Sequence, residues 1–422
     1  MDKRSFIKNI GKLSFTPFII PIKSVNYHSL KELLPKELSE KELWEEIRSH
    51  YKIKPDYINL ESGYYNIIPN PILDNFIQHV KMVNYEGSYY MRNNQIENKD
   101  KITQRLASVF GSKSDELCIT RNTTESLDLI ISGFPWKKND EAIFARQDYG
   151  TMRSMFEQIK KRHGVVNRII SIPNHPESDE EIVKLYESKI TSKTKLIMVC
   201  HMINITGQIL PIKKICDMAH SYGVDVMVDG AHCIGHFNFK ISDFNCDYYG
   251  SSLHKWLATP LGAGLLYVKK SKISKIWPLL ANSNKNPNDI KRLNHIGTHP
   301  VHTDLAINNS IDYLEWIGIK RKEKRLKYIK NYWVKRLKNI KNIIINTPFE
   351  EHRSCGIGNI GVKNIPPDKL ANILMKKYKI FTVAINEGNV KGCRISPNIF
   401  TNIAEIDKFV DSMVSISKGN LS

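Results

Sequence analysis

Helical and strand-like segments alternate along residues 102–268, and this alternation constrains the fold more than any other feature of the sequence. Apolar residues three and four apart indicate the helices, and short apolar runs ending at turn residues indicate the strands. The predicted helices lie at 102–109, 122–133, 151–163, 180–189 and 212–222, and the predicted strands at 115–120, 141–146, 166–172, 195–201, 224–230, 247–252 and 264–268. Because strands separated by helices of this length are typical of βαβ units, we predict an α/β fold with a mainly parallel sheet.

A different pattern begins near residue 297. A long basic helical stretch runs to about residue 341, and short predicted strands and helices follow at 342–346, 357–362, 368–378 and from about 404. A chain of 422 residues is too long for one ordinary core. We therefore expect a large domain at 57–296, a smaller α+β domain at 297–422, and an N-terminal segment at 1–56 that packs with the small domain.

The formal net charge of +19 raises the question of a nucleic-acid or membrane partner. Lysine and arginine are spread along the chain, and the densest run is at 320–341. That run carries Leu326, Ile329, Trp333, Leu337 and Ile340 at helical spacing, which predicts an amphipathic helix with a solvated basic face. No apolar run approaches the ~20 residues that span a bilayer. We therefore predict neither a nucleic-acid nor a membrane partner.

The seven cysteines are irregularly spaced and form no CxxC pair, which predicts a reducing compartment rather than a disulfide framework. The sequence HCIGH (His232, Cys233, His236) resembles a set of metal ligands, but no second cluster completes a site, so we predict no metal.

The N-terminus, MDKRSFIKNIG, is similar to a twin-arginine export signal, although Lys3 stands where the first arginine belongs. Pro17 and Pro21 break the apolar stretch that follows, and no small-residue cleavage site is present. We expect a cytoplasmic protein, and the alternative is export in the folded state through a degenerate signal at 1–24.

Chemically informative residues gather where the predicted strands end, at 120–124, 147–149, 201–204, 229–232 and 252–255. Ligands of open α/β sheets bind beyond these ends. Asp229 leaves a buried strand and needs a cationic or proton-donating partner. Lys255 lies in an apolar context that lowers the pKa of an amine and makes it nucleophilic. The helix that opens at residues 122–124 offers free N–H groups to an anion. A reactive lysine, an anion cup and a carboxylate for a ring nitrogen are the three contacts that pyridoxal phosphate requires.

Six motifs, in order along the chain, carry a resemblance to a known family. They are TRNTTESL, VCHMINITGQILPI, VDGAHCIGH, SLHKWLATPLGAGLLYV, IGTHP and GCRISPNIFTNIAEID. Across about residues 58–408 the chain resembles the class V aminotransferases, fold-type I enzymes that use pyridoxal phosphate, in the branch with isopenicillin N epimerase and the cysteine desulfurases. The resemblance implies that 57–296 is the cofactor-binding domain.

The resemblance also implies roles for individual residues. Lys255 forms the internal aldimine and shuttles the Cα proton, Asp229 pairs with the pyridine nitrogen, and His232 and Asn204 lie near the phenolic oxygen. Tyr149 stacks on the cofactor, and Arg394 binds the substrate carboxylate. The implied phosphate ligands are Thr123, Thr124, Ser252 and His254, with Thr298 contributed by the second subunit of a homodimer. Ser62, Gly63, Tyr64, Tyr90 and Arg92 are further candidates for the substrate pocket.

The reaction stays open among several outcomes. The HKW motif favours epimerisation or transamination at Cα of an amino acid or an amino-acid derivative. The alternative is C–S lyase or desulfurase-type β-elimination on a cysteine derivative. The stretch 381–392 contains no cysteine, which disfavours a protein persulfide, and Cys393 should face away from the side that presents Arg394 if the segment is extended. The non-enzymatic alternative is a basic nucleic-acid-binding protein with the same fold.

Overall fold

The computed structural model describes residues 38–420. Its strands are β1 Ile58–Asn59, β2 Leu117–Thr120, β3 Glu141–Ala145, β4 Val166–Ile170, β5 Thr194–Cys200, β6 Asp225–Asp229, β7 Tyr248–Ser252, β8 Gly264–Val268, β9 Ile343–Ile345, β10 Gly358–Val362, β11 Ile380–Phe381, β12 Val383–Glu387 and β13 Val390–Ile395. Its α-helices are α1 Glu40–Ser49, α2 Asn70–Glu86, α3 Ser88–Asn93, α4 Gln95–Phe110, α5 Thr123–Gly133, α6 Gly150–His163, α7 Asp179–Glu187, α8 Ile212–Ser221, α9 Val301–Ile317, α10 Ile319–Leu337, α11 Pro367–Tyr378 and α12 Ile403–Ser417.

One seven-stranded sheet has the order β2-β8-β7-β6-β5-β3-β4. The strands β7, β6, β5, β3 and β4 run parallel to one another, while β8 runs antiparallel to both β7 and β2. As a result β2 runs in the same direction as β7, and the carboxyl ends of all strands except β8 meet at one edge. The predicted α/β fold with a mainly parallel sheet is confirmed.

Both faces of this sheet are covered. Every residue of β3, β6 and β7 is buried, as expected for parallel strands packed between helices. Side chains alternate between the two faces, so Val226 and Val228 join one apolar cluster while Met227 joins the other. The helices between the strands supply the rest of both clusters, which leaves the edge of the sheet at the strand ends open for a site.

The C-terminal part forms a separate four-stranded antiparallel sheet in the order β12-β13-β10-β9. Helices α10, α11 and α12 pack with it in one apolar cluster that includes Trp333, Leu374 and Phe409. The short strand β1 pairs with β11, which ties the N-terminal region to this part of the fold. The strands β12 and β13 were not predicted as separate elements, yet β13 carries Arg394.

Helix α9 packs with the large sheet rather than with the small one. It contacts α2 and α4, and Leu305, Ile307 and Ile311 belong to the cluster that contains Val226 and Val228. Helix α1 contacts α12 through the Arg48–Glu405 ion pair and also joins a cluster with Trp256. The division at residues 56 and 296 stays a prediction, and this packing favours a later boundary, after Ile317.

The basic helix differs from its prediction in one respect. Leu326, Ile329, Trp333 and Leu337 are buried as expected, but so are Lys322 and Lys330, at 4% and 1% exposure. The sequence predicted an amphipathic helix with a solvated basic face, and two of its lysines are not part of that face. Lys322 donates to the carbonyl of Trp256, and Lys330 donates to the hydroxyl of Ser354.

Among residues 38–420, no helix is long and apolar enough to cross a membrane. The predicted degenerate export signal at 1–24 lies outside the described residues.

Candidate active site

The carboxyl ends of the strands enclose a cavity of about 390 Å³. All the residues predicted from the motifs line it except Thr298; they are Thr123, Thr124, Tyr149, Asn204, Asp229, His232, Ser252, His254, Lys255 and Arg394. Gly63 and Tyr64 also line it, whereas Ser62, Tyr90 and Arg92 do not. Five separate strand ends and one strand of the small sheet thus contribute to a single site.

The N-terminus of α5 forms one wall of the cavity. Asn122 caps this helix by accepting from the N–H of Glu125 at 2.9 Å, and the N–H of Thr123 donates to the Ser252 hydroxyl at 3.0 Å. Gly264 on β8 allows the close approach, because a Cβ there would lie 2.7 Å from the backbone of Asn122. Backbone donors, hydroxyls and the positive end of the helix make this wall suited to an anion.

His254 lines the same cavity, and one nitrogen of its ring makes no hydrogen bond within the described residues. Its Nδ1 is buried and has no hydrogen-bond partner within the described part of the chain. Burial lowers the pKa of His254 to about 4, with the neighbouring Lys255 ammonium acting in the same direction. A buried orphan nitrogen is costly unless a ligand supplies its partner, so this group fits a phosphate-bearing ligand.

Asp229 ends β6 and is buried at the floor of the site. One of its carboxylate oxygens accepts from the N–H of Ala231 at 3.0 Å. Burial raises the pKa of Asp229, against the lowering effects of this hydrogen bond and of Lys255. A desolvated carboxylate of this kind is stabilised by a protonated ring nitrogen.

Lys255 lies on the turn that follows β7. Its Nζ is 3.3 Å from His232 Nε2, and the side chain is partly exposed because it opens into the cavity. Desolvation lowers the pKa of Lys255 to about 8, against the raising effect of Asp229 and together with the lowering effect of Arg394. An amine with a lowered pKa is a nucleophile towards an aldehyde and a base towards carbon acids.

Arg394 reaches the cavity from β13, and a glutamate fixes its guanidinium. Nε and Nη2 donate to the two carboxylate oxygens of Glu61 at 3.0 and 2.5 Å. Glu61 also accepts from the Ser396 hydroxyl and from the N–H of Tyr64, each at 2.9 Å. Glu61 does not line the cavity, so it holds Arg394 from outside it. A side chain at Gly63 would meet the guanidinium, since its Cβ would lie 3.1 Å from Cζ.

Three other predicted residues have less constrained positions. Tyr149 is 43% exposed at the start of α6 and lines the cavity. Asn204 lines it too, and its carbonyl accepts from Arg394 Nη1 at 3.4 Å. Thr298 is exposed on the segment before α9, away from the cavity, so its predicted role in a neighbouring subunit stays a prediction.

Sequence reasoning missed several residues of the site. Cys200 and Met202 line the cavity next to a predicted strand end, and the strand-end rule could have found them. Met152 and Leu261 line it from the first turn of α6 and from the loop after Lys255. Glu61 carried no signal, because it lies before the alternating region and acts through Arg394.

The donor set fits pyridoxal phosphate. The orphan nitrogen of His254 and the α5 N-terminus suit its phosphate, the Lys255 amine suits its aldehyde, and Asp229 suits its ring nitrogen. Among residues 38–420 no cluster of histidine, cysteine and carboxylate side chains has the arrangement of a metal site.

Comparisons with known proteins agree with this geometry. The sequence model of the family Aminotransferase class-V matches residues 69–409. An isopenicillin N epimerase from Streptomyces clavuligerus is 24% identical over 394 residues, which cover 89% of this chain and 98% of that protein. A cysteine desulfurase from Wigglesworthia glossinidia brevipalpis is 26% identical over 79% of this chain and 85% of that protein. The solved apo structure of a cysteine desulfurase from Thermococcus onnurineus superposes with a TM-score of 0.78 at 20% identity, over 89% of this chain and 98% of that one.

Proposed function

The chain belongs to the class V aminotransferase family, and from that membership we propose that it is an epimerase or aminotransferase acting at Cα of an amino acid or an amino-acid derivative. It is a pyridoxal-phosphate-dependent enzyme. The observation that carries the proposal is the convergence of the Lys255 amine, the Asp229 carboxylate and the Arg394 guanidinium on one cavity.

Pyridoxal phosphate, when bound, withdraws electrons from the Cα of an amine substrate and so makes its Cα–H acidic. In the proposal, Asp229 holds the ring nitrogen, and the phosphate ligands are Thr123, Thr124, Ser252 and His254, with Thr298 from a second subunit. Tyr149 covers the ring, and His232 and Asn204 bind near its phenolic oxygen.

Lys255 is proposed to remove and return the Cα proton through Nζ. Its lowered pKa supports this role, because a base works best when its pKa lies near the working pH. Arg394 is proposed to bind the substrate carboxylate in a bidentate manner, which a lysine cannot reproduce. Glu61 supports that role by fixing the guanidinium plane.

The test uses the purified enzyme, saturated with pyridoxal phosphate, and a panel of L- and D-amino acids that includes cysteine derivatives. The reactions run in deuterated water, and NMR follows exchange at Cα and the products. An epimer, or a keto acid formed without released ammonia or sulfur, supports the proposal. Lys322→Met is the matched control, since it removes a buried lysine that does not line the cavity. A released sulfur species together with ammonia and a keto acid from a cysteine derivative, without an epimer, would instead establish elimination, because elimination also begins with loss of the Cα proton.

Elimination from a cysteine derivative is the second candidate function, because cysteine desulfurases are among the relatives. The cysteines argue against the version that uses a protein persulfide. All seven are buried, and the thiol of Cys393 donates a hydrogen bond to the carbonyl of Pro367. Cys200 lines the cavity, but burial raises the pKa of its thiol well above the usual value, which disfavours the reactive thiolate. Elimination that needs no protein thiol is unaffected by this observation.

We further propose a homodimer with a shared site. Helices α2 and α3 expose Ile77, Val80, Tyr85 and Tyr89, an apolar surface of the kind that marks interfaces. If Thr298 acts in the neighbouring subunit, mixing inactive Lys255→Ala subunits with Thr298→Ala subunits should rebuild one intact site per mixed dimer. Recovery of activity above the sum of the separate variants supports the shared site, and strict additivity contradicts it.

A cytoplasmic location without a nucleic-acid partner completes the proposal. Seven unpaired cysteines suit a reducing compartment, and the lysine and arginine residues that give the positive charge are spread along the chain. Cell fractionation and binding to duplex DNA at physiological salt test these two points. Retention on DNA that persists at 150 mM salt, at about micromolar affinity or tighter, would contradict the second one.

A further inference from the structure

Trp256 directly follows Lys255 and is fully buried. Besides its apolar packing, it stacks on a histidine and takes part in two hydrogen bonds. Its ring stacks on His236 with centroids 3.7 Å apart and planes inclined by 19°. Its carbonyl accepts from the buried Lys322 amine at 2.5 Å. Its indole Nε1 donates to His232 Nδ1 at 3.4 Å. These contacts fix the indole beside the active-site histidine.

The last contact determines where the proton of His232 lies. An indole N–H donates and never accepts, so Nδ1 of His232 must offer a lone pair. Burial, with a smaller contribution from nearby basic groups, lowers the pKa of His232 well below its ordinary value, so the ring is neutral. A neutral imidazole that accepts at Nδ1 carries its proton on Nε2.

The Nε2 proton in turn acts on Lys255, whose Nζ is 3.3 Å away. An Nε2–H group donates, and it therefore suits a neutral amine that offers its lone pair. It opposes an ammonium, because two donors would then face each other. His232 also lines the cavity in which the cofactor is proposed to bind.

We propose that Trp256 is a positioning residue that holds His232 in the Nε2–H tautomer and thereby favours the neutral, nucleophilic form of the Lys255 amine over the ammonium. This inference rests on the proposed role of Lys255 and extends it to a residue that does not line the cavity. Desolvation, which lowers the pKa of Lys255 to about 8, acts in the same direction.

Other charged groups act on the same two side chains and have to be held constant in the test. Those that face Lys255 or His232 come from several elements and are Glu61, Asp229, Cys233, His236, His254 and Arg394. Of these, His236 also stacks on the Trp256 ring, and a tryptophan-to-phenylalanine change keeps an aromatic ring against it. Lys322 reaches only the carbonyl of Trp256, which a tryptophan-to-phenylalanine change keeps.

The first experiment reads the tautomer directly. The full chain is labelled with 15N-histidine, and His232 is assigned from the signal lost in His232→Gln. Long-range 1H–15N correlation patterns between pH 6 and 9 distinguish the two tautomers. We expect the Nε2–H pattern in the wild type and its loss or mixing in Trp256→Phe. An Nδ1–H pattern in the wild type, or an unchanged pattern in Trp256→Phe, would overturn the proposal.

The second experiment measures the ionisation of Lys255 without turnover. Trace acetylation with acetic anhydride across pH 6–10, quantified at Lys255 by mass spectrometry, gives the midpoint for the cofactor-free chain. Without the Trp256 contact, Nε2 can accept from the ammonium. We expect the midpoint in Trp256→Phe to rise by about one pH unit, which is about a tenfold smaller neutral fraction near pH 7.

Two further variants separate a positioning role from a loss of packing. In the His232→Leu background, Trp256→Phe should add no further shift, because the contact acts through the His232 ring, which leucine lacks. Trp333→Phe is the matched control, since Trp333 is equally buried and its Nε1 has no partner within residues 38–420. An equal shift in Trp333→Phe, or an undiminished shift in the His232→Leu background, would overturn the proposal. Should Trp256→Phe fail to fold, the wild-type tautomer and the upward shift expected in His232→Leu, which lacks the Nε2–H donor, still decide it. Failure of Lys255 to carry the cofactor is a separate result, read by peptide mapping.

Discussion

Lys255 and Lys322 are two lysines with lowered pKa values in neighbouring parts of the molecule, and their surroundings differ in kind. Desolvation lowers the pKa of Lys255 to about 8 and that of Lys322 to about 7. Lys255 opens into the strand-end cavity and faces Asp229, whereas Lys322 is enclosed between α10 and the carbonyl of Trp256. Within residues 38–420, no ion pair involves Lys322.

The comparison shows that a lowered pKa does not by itself identify a reactive lysine. The lower pKa belongs to the lysine that no substrate can reach. What distinguishes Lys255 is access, together with a carboxylate, an anion wall and a guanidinium around the same space. A perturbed pKa is a probabilistic sign of function and has to be read with the geometry.

The largest expected effect is that of Lys255→Ala, which should lower Cα exchange by at least about 1,000-fold because both the nucleophile and the base are lost. Lys322→Met should retain most of the exchange. NMR-detected exchange in deuterated water, with circular dichroism to verify folding, is the measurement. Comparable losses of Cα exchange in the two variants would show that Lys255 is no more important for the reaction than Lys322.

The second-largest effect is expected at Arg394, whose guanidinium is paired with the carboxylate of Glu61. Arg394→Lys should weaken amino-acid binding by about 10- to 100-fold, because a point charge replaces a planar, bidentate donor. The titration follows the absorbance change on adding an amino acid, with the corresponding amine lacking a carboxylate as the reference ligand. Equal weakening for both ligands would show that Arg394 does not bind the carboxylate.

Lys322→Met should change stability in a pH-dependent manner. The folded-state pKa of Lys322, about 7, lies below its ordinary value of 10.5, so between these values the unfolded chain binds the proton and the folded chain does not. The wild type therefore gains stability as pH rises from 7 to 10.5 and loses it as pH falls towards 7. Replacing the buried amine by an apolar side chain should stabilise by about 1–4 kcal/mol near pH 7 and by less near pH 10.

Urea unfolding across this pH range is the measurement, and Lys324→Met on the exposed face of α10 is the control. The control should change stability by no more than about 0.5 kcal/mol at any pH. A pH-independent difference between Lys322→Met and the wild type would mean that Lys322 is protonated throughout.

The smallest effect concerns the turn that presents Lys255. Ala258 adopts a left-handed backbone with φ +61°, a region that costs a residue with a Cβ about 1–2 kcal/mol. Ala258→Gly should therefore raise stability by about 1 kcal/mol or less, after the entropy of glycine in the unfolded chain is subtracted. Ala371→Gly within α11 should lower it by about 0.5–1 kcal/mol. Thermal unfolding with opposite signs for the two variants supports the strained turn, and two losses contradict it.

The sequence predicted the order of the central elements because it depends on local periodicity, and it predicted the strand-end residues because parallel strands place their carboxyl ends together. The sequence did not predict the environment of side chains whose partners lie far away along the chain. Lys322 lies on a lysine-rich helix, and it is buried because that side of the helix packs inside the protein, where its amine donates to the carbonyl of Trp256. Glu61 carries no motif, and its role exists only because β13 places Arg394 beside it.

We propose that Lys255, which opens into the cavity, carries the cofactor and that the enclosed Lys322 does not. The most direct test reduces the enzyme, loaded with pyridoxal phosphate, with borohydride and maps the modified peptide by mass spectrometry. We expect stoichiometric pyridoxyl modification at Lys255 and none at Lys322 or Lys330. Modification at another lysine, or no fixed cofactor in a folded and fully loaded protein, would contradict it.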